Sequence, residues 1–306
     1  MSGNTKIFPN SPGAVLAVAG DDADAFLQGQ FTNDLRQAPG AAMYGLFLSQ
    51  KGKVMADAYA LKQRANAWFL VSPNCPAAAI ARRLTDYIVA DDVSIEDETG
   101  ATAGLAVFGP GASDSLAPLI GAAPGAGVFG RSGDLLVFRG RRSTGENFEI
   151  IGPAAACHAL TERLCAAGCV EATPAEVAFE RISAQVPSVP QDLGEGDLPN
   201  EGSLQDAAIS YTKGCYLGQE VMSRLKNLGQ VRRRLFVVTG TGDAPPSGTP
   251  LFQRRRKVGE IRSAAAAPGK FVAMAMLSLV PLDERGGLAA GPDADEDLTI
   301  ISRVGT

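Results

Sequence analysis

The chain has 306 residues, 45% hydrophobic and 20% charged, with a formal net charge of −5. This balance excludes an intrinsically disordered chain and argues against a global attraction to nucleic acid, while leaving enough apolar material for one large core or two to three smaller ones. Thirty-five glycines and nineteen prolines favour strands joined by many turns over a helical bundle.

The opening MSGNTKIFPNSPG has no basic segment followed by an apolar one. No apolar run reaches the roughly 18 residues that would span a bilayer, and FVAMAMLSLV (271–280) reads as a buried strand. Five irregularly spaced cysteines are not a disulfide framework and fit a reducing compartment, so the cytoplasm is the expected location.

In chain order, AVLAVAG (14–20) alternates as a strand, and DDADAFLQGQFTNDL (21–35) follows as an aspartate-capped helix with Ala25, Phe26 and Leu35 on its apolar face. MYGLFLSQ, KGKVMADAYALK and AWFLVS predict a three-stranded meander with a tight turn near Lys51-Gly52. Ser72-Pro73 then predicts the cap and first residue of a helix reaching Tyr87. A similar cycle repeats from TAGLAVFG (102–109) through DLLVFRGRR and ENFEIIG to a helix from Pro153 to Gly168. That helix carries the only histidine, His158, which argues against Ser-His or Cys-His chemistry and a multi-histidine metal site.

TPAEVAFERISAQVP (173–187) reads as a helix with a threonine cap, proline at N1 and glutamate at N3. The next stretch, to about residue 212, is too polar and too rich in glycine and proline for regular structure, and a loop of that length in a compact domain is usually functional or disordered. Beyond Val231 short alternating strands predict a small antiparallel β barrel or sandwich. The expected division is an αβ unit over 1–100, a second over 101–229 containing the loop 186–212 and a motif at 213–220, and a barrel over 230–306.

The motif YTKGCYLGQE (211–220) places Lys213 and Cys215 on one side of an extended segment. A helix starting near Tyr216 would put Cys215 at its positive end, and both neighbours would favour a reactive thiolate; a buried inert cysteine is the competing reading. Cys165 and Cys169 read as core residues, and Cys75 forms no site with any recognisable partner. Glu201 in LPNEG could accept two N–H bonds from a planar heterocycle such as a pterin, or face solvent. Asp57, in an otherwise apolar strand, could open into a cleft or lie at a wet strand end.

KGCYLGQE (213–220) resembles the signature of the YgfZ-type proteins, folate-binding iron–sulfur cluster maturation factors in the superfamily of the glycine-cleavage aminomethyltransferase. GDDADAFLQGQFTNDL (20–35), SQKGKVMADAYA, STGENFEI, AFERISAQVP, LPNE and KVGEIRSAAAAPGKFVAMAML are similar too, in family order. The resemblance implies an α+β fold: a clover leaf of two αβ domains and a C-terminal antiparallel β barrel around a central cavity that admits tetrahydrofolate. It implies Glu201 as the pterin ligand, Arg233 as partner of a folate carboxylate, and Cys215 as the residue that sets this subgroup apart, with Lys213 beside it. Tyr216 and Gln219 join them as cofactor-binding candidates.

Two departures stand out: Ala56 replaces half of an acidic pair that includes the catalytic aspartate, matched by Asp57, and Gln185 stands where many relatives carry glycine. The implied partners are folate and iron–sulfur enzymes or assembly proteins. Two alternatives are a one-carbon transferase using Asp57 as general base, and a tRNA-binding factor using Arg232 to Arg234 and Arg254 to Lys257.

Overall fold

The alternation in the sequence is realised as three sheets. The computed structural model describes residues 5–305. The first sheet runs Ala42–Leu48, Val54–Arg64, Ala67–Ser72, Ala14–Ala19, Ser94–Asp97 in spatial order, all antiparallel, so the predicted meander forms its first three strands. Asn66, in the turn between its second and third strands, has φ 55°, a left-handed conformation that asparagine tolerates.

The second sheet has six strands: Val170–Glu171, Lys6–Asn10, Ala103–Phe108, Asn147–Gly152, Leu135–Arg139 and Phe129–Ser132. Lys6–Asn10 pairs with Ala103–Phe108, so the chain's first strand hydrogen-bonds across the boundary set at residue 100.

The third sheet is open: Pro250–Gln253, Arg256–Ala267, Lys270–Ser278, Arg233–Gly240, Thr299–Arg303. Its two edges are linked through residues 288 and 289, since Ala289 bridges Phe252 and Leu288 bridges Leu298. That connection curls the sheet into a barrel-like domain without continuous closure. Among the described residues no helix is long and apolar enough to cross a membrane.

Helix ends follow local chemistry where their side chains are free. Thr173 and Glu176 form the predicted capping box of helix Pro174–Ser183. Ser72 does not cap a helix. Its hydroxyl accepts the Cys75 N–H and donates to Asp57, and helix Ala77–Thr85 begins later, with Pro76 at its cap. Helix Ala23–Gln30 also stops short of Leu35, because Phe31 leaves it to bridge Phe47.

One continuous apolar core joins the first sheet to the inner face of the third, through Leu46, Trp68, Leu235 and Met274, and it includes Tyr216 and Leu204 from the irregular segment. Separate cores lie under the second and third sheets. The 186–212 loop is therefore fixed: Val189 and Leu193 are buried, and Asp192 is fully enclosed.

Candidate functional site

The segment 211–218 is irregular, and the following helix spans Gln219–Leu228 with Gly218 as its cap. Gly218 has φ 87°, and a Cβ there would lie 2.9 Å from the Ser49 carbonyl oxygen. Glycine is thus demanded by backbone conformation and by the close approach of the Ser49–Lys53 hairpin turn. Gly52 in that turn packs as tightly on Val221.

Lys213 turns inward. Its ammonium donates to the carbonyl oxygens of Gln28 (2.7 Å), Phe31 (2.7 Å) and Asn33 (2.8 Å), and sits 5.3 Å from the centre of the Tyr216 ring. Burial pushes its pKa down to about 8. The charged form supplies one proton to each carbonyl, satisfying groups left open at the end of helix Ala23–Gln30. The two most specific sequence motifs, 20–35 and 213–220, meet at this ammonium.

Cys215 is exposed between the buried Lys213 and Tyr216. The predicted arrangement around it is corrected in two respects. The helix starts at Gln219 and not near Tyr216, and the Lys213 protons serve carbonyl oxygens. Among the described residues the buried Tyr216 hydroxyl has no hydrogen-bond partner. The Gln219 N–H donates to the Tyr216 carbonyl at 3.1 Å, which joins the segment to the helix.

Glu201 is buried, not solvent-facing. Its Oε2 accepts the Leu198 N–H (2.7 Å), and the Arg233 fork reaches it through Nε to Oε1 (2.8 Å) and Nη2 to Oε2 (3.2 Å). Arg233 also donates to Asp197 Oδ1 at 2.7 Å, and Arg262 approaches the same oxygen at 3.3 Å. The two residues assigned to a pterin and to a carboxylate are therefore adjacent, and each is the other's ion-pair partner. They line a cleft of about 450 Å³ with Lys53, Leu198, Leu225 and Arg232.

Asp57 neither opens into this cleft nor faces water. Its Oδ2 accepts from the Tyr44 hydroxyl (3.0 Å), and its Oδ1 from the Ser72 hydroxyl (3.1 Å) and the Cys75 thiol (3.4 Å). Burial pushes the Asp57 carboxyl up, against the three hydrogen bonds and Arg141. Burial also pushes the Cys75 thiol up, to about 12. Cys75 is thus part of a site that the sequence reading left it out of. The available signal was the turn S-P-N-C-P at a strand end, which brings Ser72 and Cys75 back onto one carboxylate.

The cavity over Asp57 is about 40 Å³, with Arg141, Arg142 and Arg181 around it. None of these arginines was singled out from the sequence, although two directly precede STGENFEI.

Three residues of the basic clusters, Arg233, Arg254 and Arg255, are ion-paired. Arg254 and Arg255 occupy a hairpin turn with φ 50° and 63°, and pair with Asp283 (3.1 Å) and Asp293 (2.5 Å). Two non-glycine residues in the left-handed region are costly, and the Glu296 carboxylate accepts the Arg254 backbone N–H in this turn. His158 lies exposed beside Glu162.

Comparison with known proteins places these features. The chain matches the GCVT N-terminal domain over residues 4–213 and the CAF17 C-terminal beta-barrel domain over 232–300. It is 28% identical to a tRNA-modifying protein YgfZ from Edwardsiella ictaluri, over 93% of this chain and 88% of that one. It is 26% identical to the mitochondrial iron-sulfur cluster assembly factor IBA57 of Homo sapiens (81% and 72% covered) and 27% to an aminomethyltransferase of Geobacillus kaustophilus (83% and 73%). The crystal structure of the glycine cleavage system aminomethyltransferase T from Bartonella henselae superposes with a TM-score of 0.80 at 20% identity, covering 93% of this chain and 81% of that one. The chain therefore belongs to the GCVT family, within the aminomethyltransferase superfamily, and carries a CAF17-type barrel-like domain at its C-terminal end.

Proposed function

We propose that this protein is a tetrahydrofolate-binding accessory factor for the assembly or repair of [4Fe-4S] proteins, with Cys215 as its working thiol. The observation that carries the reading is the way the cysteine is presented. Cys215 is exposed, while Lys213 and Tyr216 on either side are buried and fixed. A thiol needed only for packing would be inside, and a fortuitous surface thiol would not require such anchoring. The human relative's name, an iron-sulfur cluster assembly factor, agrees with this role. The relatives named for tRNA modification leave that process open, but the ion pairs on Arg254 and Arg255 reduce the basic surface for direct RNA binding.

Cys215→Ser is expected to leave the activity of a cluster enzyme such as aconitase, in cells lacking the native protein, at the level of an empty control. Full restoration of activity would sink the proposal. The assay reads function directly, because an exposed Cys→Ser exchange has little effect on stability.

For the folate, the cleft at Glu201 and Arg233 fits in size and chemistry: about 450 Å³ lies within the usual range for small-molecule sites, with apolar walls from Leu198, Leu225 and Val231. Glu201 would accept pterin N–H groups once its pairing with Arg233 opens, while Arg233, 2.8 Å from Glu201 and also bound to Asp197, lies too near the pterin end to meet the carboxylates at the far end of the same folate. When bound, tetrahydrofolate supplies a one-carbon carrier. Glu201→Ala is expected to weaken tetrahydrofolate binding at least about tenfold in a fluorescence titration, the scale of a charge-assisted hydrogen bond. Equal affinity in both proteins would remove folate from this cleft.

The transferase reading with Asp57 as base has the raised Asp57 pKa in its favour. Against it stand Ala56 and a cavity of about 40 Å³ over the carboxylate. Aminomethyl transfer to tetrahydrofolate that is abolished by Asp57→Asn would reinstate it.

A further inference from the structure

The segment that carries Cys215 lies between two walls. One is the end of helix Ala23–Gln30 and the residues after it: the Leu217 N–H donates to the Gly29 carbonyl at 3.0 Å, and Lys213 binds the carbonyls of Gln28, Phe31 and Asn33. The other is the end of strand Ala42–Leu48 and the turn after it, where a Cβ on Gly218 would lie 2.9 Å from the Ser49 carbonyl oxygen and 3.1 Å from the Leu48 Cβ. Packing this close passes a shift of either wall on to the segment, so the presentation of the thiol depends on how the walls are held relative to each other.

Arg83 bonds to both. It lies in the last turn of helix Ala77–Thr85 and is 5% exposed. Its Nη1 donates to Gln30 Oε1 at 2.8 Å on the first wall, and its Nη2 (3.1 Å) and Nε (3.4 Å) converge on the Leu48 carbonyl oxygen on the second. The guanidinium carbon sits 4.4 Å from the centre of the Tyr87 ring.

The buried arginines elsewhere have carboxylate partners: Arg142 is paired with Glu149 at 2.7 Å and Arg181 with Asp192 at 2.5 Å. Among the described residues no carboxylate pairs with Arg83, and burial pulls its pKa down. A buried charge without a counter-ion is costly, and a methionine would fill the same space without that cost. What the planar fork adds is donors in more than one fixed direction from a single group. Here those directions are Gln30 and Leu48.

We propose that Arg83 is a positioning residue for Cys215: its guanidinium, bonded to Gln30 and to the Leu48 carbonyl, fixes the two walls between which the thiol is presented. The consequence in cells rests on the reading of Cys215 as the working thiol, whereas the positioning itself is measured on the purified chain.

The test is the electron-spin-resonance spectrum of a nitroxide label on Cys215 in the whole chain, with Cys165→Ser removing the other exposed thiol. Arg83→Met should mobilise the label, shortening its correlation time by about twofold or more, because the segment is released on both sides. Gln30→Met, which breaks one of the two ties and removes no charge, should act in the same direction by less, and the double variant should go no further than Arg83→Met alone. Leu160→Ala opens a cavity in the separate core under the second sheet; it should lower the melting temperature and leave the label as immobile as in the parent. A label equally mobile in Leu160→Ala, or immobile in both Arg83→Met and Gln30→Met, overturns the proposal; if Arg83→Met does not fold, Gln30→Met decides alone. In cells lacking the native protein, Arg83→Met should lower cluster-enzyme activity at an unchanged protein level, and full activity beside an inactive Cys215→Ser would also overturn it. An active Cys215→Ser instead removes the reading of the thiol and leaves the label measurement standing.

Discussion

Lys213→Met should destabilise the protein by about 3 kcal/mol, because one buried and two partly buried carbonyl oxygens lose a charged donor at once and each unsatisfied group costs about 1–3 kcal/mol. Methionine fills the apolar part of the site but donates nothing to Gln28, Phe31 or Asn33. The damage should be local first. The segment 211–218 loses its tie to the end of helix Ala23–Gln30, and Cys215 loses its fixed presentation. Calorimetry should show a lowered first transition, and limited proteolysis a new cleavage near residues 211–218. Cluster-enzyme activity in cells should fall with them, although Cys215 is untouched. A variant with wild-type melting and wild-type protease resistance would show that the ammonium is not the anchor. Lys213→Arg should not rescue, since a planar fork cannot reproduce three donors diverging from one nitrogen.

Asp192→Ala carries the second large effect. The carboxylate is fully enclosed and accepts from Arg181 Nη1 (2.5 Å), the Ser188 N–H (2.8 Å) and the Ser263 hydroxyl (2.5 Å). These groups belong to the end of helix Pro174–Ser183, the long loop and the irregular point of strand Arg256–Ala267, where the register shifts between Ile261 and Ser263. Removing the carboxylate leaves the Arg181 guanidinium uncompensated in a largely buried place, at a cost of about 3–5 kcal/mol. Thermal unfolding and trypsin cleavage within 186–212 would measure it. The double variant Arg181→Met/Asp192→Leu should recover part of the loss, because neither charge is then stranded. If the single variant melts with the wild type, or the double variant is as unstable as the sum of both single changes, the interaction is not what fixes the loop.

Several elements were legible because their signals are local. The meander over 42–72, the capping box at Thr173 and the switch to short strands after residue 231 depend on side chains within a few positions of one another. Where a local signal failed, a distant partner had claimed the group. Ser72 has the composition of a cap but spends its hydroxyl on Asp57. Lys213 and Cys215 alternate as an extended pair would, yet the lysine is drawn to carbonyls 180 to 185 residues earlier in the chain.

By itself, then, the sequence determined the succession of strands and helices, the family motifs and the residue types available for chemistry, since these follow from short-range periodicity and composition. Only the tertiary structure decided which of those residues are free. It paired Glu201 with Arg233, enclosed Asp57 with Cys75, engaged Lys213 and left Cys215 exposed. The physical reason is that hydrogen bonding and desolvation depend on what surrounds a side chain in space, and neighbours brought together from opposite ends of the chain leave no periodic trace in its sequence.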